Sequence, residues 1–198
     1  MRGDAVMYIW DEVDVDDALG YHEENFRGIP FGVVFRKLSE ELGENWTVTF
    51  SHEALELIGD PEANLLVAGP HPKHSNREVF HWYEMCDAVQ GETYTLDGIE
   101  VSNFVLPLYF TLNDERGSRN DFLGTKNGGK TLRSFGVNPG GYIGFFDPKS
   151  GKHHTSESDA RAEKRVQIKA QARNARRGIR YQAQHIVEPK AIAKKAGR

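Results

Sequence analysis

The chain has 198 residues, 38% hydrophobic and 11% aromatic, enough for one sizeable core with an appendage. Its single cysteine, Cys86, excludes an intrachain disulfide framework and a cysteine-rich zinc site. The net charge of -4 conceals a polarised chain: residues 1–147 carry -14 and residues 148–198 carry +10. That split predicts an acidic body over 1–147 and a basic arm over 148–198, suited to docking on an acidic partner.

Taken in chain order, AVMYIW (Ala5–Trp10) reads as a strand. IPFGVVFRKLSEELG reads as a helix, with Pro30 in its first turn, Phe31, Val34, Phe35, Leu38 and Leu42 on one face, and Gly43 as its stop. The alternation in WTVTF (Trp46–Phe50) predicts a strand, Ser51 is placed to cap a short helix through Ile58, and NLLVAG predicts a further strand. SNRE sets Ser75 and Glu78 at capping-box spacing and predicts a central helix to about Val89, with His81, Glu84 and Asp87 as its polar stripe.

After it, ETYTLDGIEVS predicts a hairpin turning at Asp97-Gly98, a pair that favours a type I′ turn. Phe104–Leu112 is apolar enough for a strand buried on both faces, with Pro107 marking a bulge or an edge. A long polar, glycine-rich loop comes next over Asn113–Gly129, and YIGFFD (Tyr142–Asp147) is the expected last core strand. In the arm, Ser156 and Asp159 stand at capping-box spacing before an alanine- and arginine-rich helix to Arg177, stopped by Gly178. A short strand over Ile179–Val187 and a basic tail complete an extended arm. The expected class is therefore α+β: a mixed body with an antiparallel hairpin region and a central helix, then a basic C-terminal helix and arm.

GTKNGGKT (Gly124–Thr131) fits the phosphate-loop pattern G-x-x-x-x-G-K-[ST] at every fixed position. A working loop of that kind leaves a buried strand and opens a helix, whose N-terminus stabilises the phosphates. Here the polar stretch ERGSRNDFL precedes it, and Gly136 and Pro139 interrupt any helix after Thr131. No nucleotide is expected. The segment reads instead as a cationic loop, in which Arg116, Arg119, Lys126, Lys130 and Arg133 contact a partner or an anion.

Other chemical candidates are weaker. DEVDVDD (Asp11–Asp17) comes after the first strand, where carboxylates can hold magnesium, but acidic residues also start ordinary helices. His71, His74, His81 and Cys86 match no zinc spacing and read as loop and core residues. His153-His154 reads as part of a polar loop. No nucleophile elbow, dinucleotide fingerprint or paired-cysteine motif appears, so no catalytic residue, metal ligand or cofactor is assigned.

The arm adds Arg173, Arg176, Arg177 and Arg180 as contact residues. Together these features favour a non-catalytic structural or assembly subunit, of virion type by architecture, meeting neighbouring subunits through the arm and the glycine-rich loop. The alternatives are a nucleic-acid-binding protein using the same cations, and a metal-dependent hydrolase or nuclease using the Asp11–Asp17 carboxylates. No run reaches the roughly 18 apolar residues of a membrane span, and MRGDAVMYIWDEVD is unlike a signal peptide. The expected location is cytoplasmic or virion-associated, away from membranes.

Overall fold

A computed structural model describes residues 4–11, 19–41, 43–112, 119–160 and 162–163. The C-terminal helix expected from the Ser156–Asp159 capping box to Arg177 lies outside them from residue 164 on, as do the strand expected over Ile179–Val187 and the basic tail. The described residues form a mixed α+β structure with few helices. Strand β1 (Val6–Trp10), expected from the sequence, runs parallel to β3 (Pro30–Phe35). β2 (Gly20–Glu24) pairs antiparallel on the other side of β3, giving the order β1-β3-β2.

The helix expected from Pro30 to Gly43 is corrected to a strand followed by the short helix α1 (Arg36–Glu41). Val33, Val34 and Phe35 are fully buried at the centre of the sheet, and a continuous apolar run of this length satisfies helix and buried-strand patterns alike. Gly32 contributes space: a Cβ there would lie 2.5 Å from the Met7 sulfur on β1.

The expected strand at Trp46–Phe50 is also corrected. It forms the first turns of helix α2 (Trp46–Gly59), with Asn45 as N-cap accepting a 3.3 Å hydrogen bond from the Thr47 amide. Ser51 is thus inside the helix, where its hydroxyl donates to the Val48 carbonyl. The period-2 pattern of WTVTF is overridden because α2 packs on β2 and β3.

A second, four-stranded antiparallel sheet has the order β4-β5-β8-β9, from β4 (Leu66–His71), β5 (His74–Trp82), β8 (Tyr142–Asp147) and β9 (Lys152–Glu157). The central helix expected from Ser75 is corrected here. Residues 74–82 pair with β4, and Phe80 and His81 also pair with β8. Val79 and His81 alternate inward, so the strand period wins over a four-residue capping pattern. Only Asp87–Val89 is helical, as one 3-10 turn.

The hairpin is as expected: β6 (Thr93–Leu96) and β7 (Ile99–Ser102) meet at Asp97 and Gly98, both at positive φ. Phe104–Leu112 is not the expected strand. Val105 makes one bridge to Asp121, and Pro107 then opens a 3-10 turn over Pro107–Phe110, where its missing N-H costs nothing. β8 is as expected, but the sheet continues beyond Asp147, since all of β9 pairs with β8 and includes His153 and His154.

The main core gathers Ala88, Val89, Val105, Tyr109, Phe110, Leu132, Phe135 and Ile143. A smaller one, built on Val33 and Phe35, lies at the first sheet.

Candidate functional site

Helix α2 buries polar side chains. His52 and Glu56 are four residues apart and therefore share a face, with Glu53 beside them. His22 reaches this face from β2, and Cys86 and Asp87 reach it from the segment after β5. All six residues are 6% exposed or less. His22 Nδ1 lies 3.4 Å from Glu53 Oε2 and 3.8 Å from Glu56 Oε2. His52 Nε2 lies 3.2 Å from Glu56 Oε1 and 3.3 Å from Asp87 Oδ1. Glu56 thus sits between two imidazoles, and its Oε1 also accepts from the Cys86 amide at 3.2 Å.

Two groups of donor atoms result, each within 4.8 Å: His52, Glu56 and Cys86, and His22, Glu56 and Glu84. Glu84 is half-buried. With Asp87, it lines a shallow cleft shared with His81, Trp82, Tyr109 and Ile143. Burial pushes the His22 pKa down, but the hydrogen bond to Glu53 and the charges of Glu84, Glu56 and Glu53 outweigh it and bring it up to about 9. Burial raises the Cys86 thiol well above its ordinary value, helped by Glu56 and Asp87. The thiol donates to the His52 carbonyl at 3.7 Å. Such a set of imidazole, carboxylate and thiol can hold a divalent cation or store protons, because charges this deep need close partners.

A second polar network organises the glycine-rich loop. Glu92 accepts from Asn127 and Asn138 on one oxygen, both at 3.1 Å, and from Asn103 at 2.8 Å on the other. Asn103 also donates to Asp121, whose Oδ2 accepts the Gly124 amide at 2.9 Å. Asn127 and Lys130 exchange backbone hydrogen bonds around Gly128 and Gly129, which both have positive φ. GTKNGGKT is therefore a tight turn pinned to Glu92. Among the described residues, its flanks hold neither a strand leading into it nor a helix leading out, as its sequence predicts.

Arg119, Lys126, Lys130 and Arg133 are exposed along this segment. Arg119 also donates to the Phe122 carbonyl at 2.9 Å. Arg116, Arg173, Arg176, Arg177 and Arg180 lie outside the described residues, as do the acidic positions 12–17. Asp11 is described: its carboxylate accepts from Arg36 Nε at 2.7 Å, and Arg36 also binds Glu40, so Asp11 is engaged in an exposed ion pair. His71 and His74 pack on each other across the β4–β5 turn. His81 is a core residue, hydrogen-bonded to the Pro70 carbonyl at 2.9 Å and in tilted ring contact with Phe135, with burial lowering its pKa. Cys86 lies with His52 and Glu56 rather than with these histidines.

The buried cluster on α2 was not anticipated. Its signal is the spacing His52-Glu53-x-x-Glu56, which gains meaning once those residues are helical. A further unanticipated feature is the surface of β1. Val6, Tyr8, Ile9 and Trp10 are 37% to 46% exposed, and among the described residues no strand pairs with the outer edge of β1.

Among the described residues, no helix is long and apolar enough to cross a membrane. Compared with protein-family models, curated proteins and solved structures, the chain matches none of them.

Proposed function

We propose that this chain is a non-catalytic assembly subunit that adds a neighbouring protein chain to the outer edge of its first sheet, which no strand covers among the described residues. The observation that carries this reading is β1, an outer strand presenting four large apolar side chains to solvent. An edge strand has unpaired N-H and C=O groups, and soluble proteins ordinarily protect such edges with charge, proline or a covering element. VMYIW contains no charge and no proline. Main-chain pairing would supply affinity to a partner strand, and the Tyr8 and Trp10 rings, 6.1 Å apart, would supply a rigid apolar contact.

The basic arm and the exposed cations Arg119, Lys126, Lys130 and Arg133 provide a second contact, complementary to an acidic body such as the one this chain itself carries over 1–147. A virion-type assembly fits this combination by architecture alone. Nucleic acid is the alternative partner for the same cations.

The test is light scattering on the full chain at several salt concentrations, with and without nucleic acid, repeated on Val6→Lys/Ile9→Lys. Assembly of the wild type without nucleic acid, lost in the double variant while circular dichroism is unchanged, is the expected result. A wild-type chain that stays monomeric until nucleic acid is added would reverse the order of the two readings.

A further inference from the structure

We propose that His22, Glu56 and Glu84 bind one divalent transition-metal ion, with Zn²⁺ as the reference species. One nitrogen of His22 and one oxygen from each glutamate lie within 4.8 Å of one another. Donors around a tetrahedral zinc stand about 3.3 Å apart, given metal–ligand lengths of about 2.0–2.2 Å, so a small inward movement completes the triad.

An independent observation points to a ligand. His22 Nε2 is buried and has no hydrogen-bond partner. His22 Nδ1 faces the Glu53 carboxylate at 3.4 Å. When Nδ1-H donates to Glu53, Nε2 is the nitrogen left to a metal, which binds there by displacing the Nε2 proton. A histidine held by a carboxylate on one nitrogen and free on the other has the arrangement of a metal-ligating imidazole. Glu56 is oriented in the same manner, since its other oxygen is held by His52 and by the Cys86 amide.

The adjoining triad of His52, Glu56 and Cys86 is the weaker choice. His52 Nε2 is already shared between Glu56 and Asp87 at 3.2 and 3.3 Å, whereas His22 Nε2 is unpartnered. Glu84 also lines the small cleft beside the cluster. One nitrogen and two carboxylates suit Zn²⁺, Mn²⁺ or Fe²⁺ and leave a coordination position for water. The ion joins β2, α2 and the segment after β5, elements 62 positions apart at their extremes, and so goes beyond the assembly reading without depending on it.

Calorimetry of the full chain, freed of metal by chelator and titrated with ZnCl₂, tests the site. The expected result is one equivalent bound per chain, with affinity at least about tenfold lower in His22→Ala and in Glu84→Gln and unchanged in Cys86→Ser. With Co²⁺, visible bands without a thiolate charge-transfer band are expected. Glu84 is half-buried, so Glu84→Gln carries the test if His22→Ala does not fold. The proposal is overturned if the wild type takes up no Zn²⁺ saturably. It is equally overturned if folded variants bind as the wild type does, which would place the ion elsewhere, or if a thiolate band appears that Cys86→Ser removes.

Discussion

Arg77 Nη2 donates to Asp147 Oδ2 at 2.5 Å across 70 positions of sequence. The bond joins β5 to the end of β8, whose backbone ladder with β5 covers only Phe80–Phe146 and His81–Phe145. The other oxygen of Asp147 accepts the Lys149 amide at 3.0 Å and so sets the turn into β9. One carboxylate therefore holds both the neighbouring strand and the turn beyond it.

Burial pushes the Asp147 carboxyl up, but the Arg77 hydrogen bond, the Lys149 amide and the Arg77 charge together bring it below the usual carboxylate value. A depressed folded-state pKa gives stability that is fully present above the unfolded pKa of about 3.9 and is lost as pH falls through the folded value. Arg77→Ala is expected to be less stable than wild type at pH 7, with the gap closing as the pH falls through the lowered pKa of Asp147 and both chains come to carry it protonated. Urea midpoints measured from pH 7 to pH 2 check this. A gap that stays constant to the acid limit would mean that Arg77 acts through packing alone.

Asn45 caps α2, and Thr47 couples that cap to the hairpin. The Thr47 hydroxyl is 2.9 Å from Asn45 Oδ1 and 2.6 Å from the Glu100 carbonyl on β7. Asn45→Ala removes the side-chain acceptor and is expected to cost about 1 kcal/mol, or roughly 2–4 °C in melting temperature for a chain of this size. Asn45→Asp, which retains an acceptor and adds favourable charge at the helix start, should restore most of that loss.

The elements legible in the sequence were those with a local physical cause. Asp97-Gly98 fits a type I′ turn on its own, and YIGFFD is short, apolar and bounded by turn residues. What misled was periodicity in short apolar runs. Phe31, Val34, Phe35 and Leu38 match a helix face, yet Phe31–Phe35 lies between two strands, a neighbourhood its own sequence does not encode. Ser75 and Glu78 imitate a capping box inside a strand, while the true cap, Asn45, precedes a segment rich in β-formers. The α2 cluster was hidden for a related reason: His52 and Glu56 are recognisable as a pair on a helix, but His22, Glu84 and Cys86 join them only through tertiary packing.

Two loops approach closely at Gly141. A Cβ there would stand 2.3 Å from the Ala88 carbonyl oxygen and 2.9 Å from that of Asp87. Both are backbone atoms of the 3-10 turn beside the main core, so rotamer changes cannot relieve the overlap. Gly141→Ala is expected to cost about 2–3 kcal/mol, in the range of an overpacked interior. Gly151→Ala is the informative comparison, since its added Cβ meets nothing within 4 Å and only its φ of +65° opposes it, a smaller cost of about 1 kcal/mol. Denaturant unfolding that ranks Gly151→Ala below Gly141→Ala would refute the backbone-clash argument.

Lys130 occupies the position where a phosphate loop places its catalytic lysine, but its surroundings are those of a turn. Its amide donates to the Asn127 carbonyl at 3.1 Å, and its carbonyl accepts the Asn127 amide at 2.9 Å. In a phosphate-binding loop, successive amides point inward at an anion and a helix N-terminus adds its dipole. Here one of those amides is used within the turn, that of Gly124 is held by Asp121, and residues 131–141 contain no helix. The Asn127 side chain is itself bound to Glu92, which places a carboxylate beneath the turn. ATP with magnesium is therefore expected to give no saturable heat with either wild type or Lys130→Ala. By contrast, Glu92→Gln should loosen the turn, because Asn103, Asn127 and Asn138 all converge on that carboxylate and charge-assisted hydrogen bonds are the stronger kind. Faster amide exchange at Asn127 and Lys130 in Glu92→Gln, with the β6–β7 hairpin unchanged, is the expected signature. Saturable ATP binding that Lys130→Ala abolishes would show that the turn reorganises around phosphate and that the sequence match was functional after all.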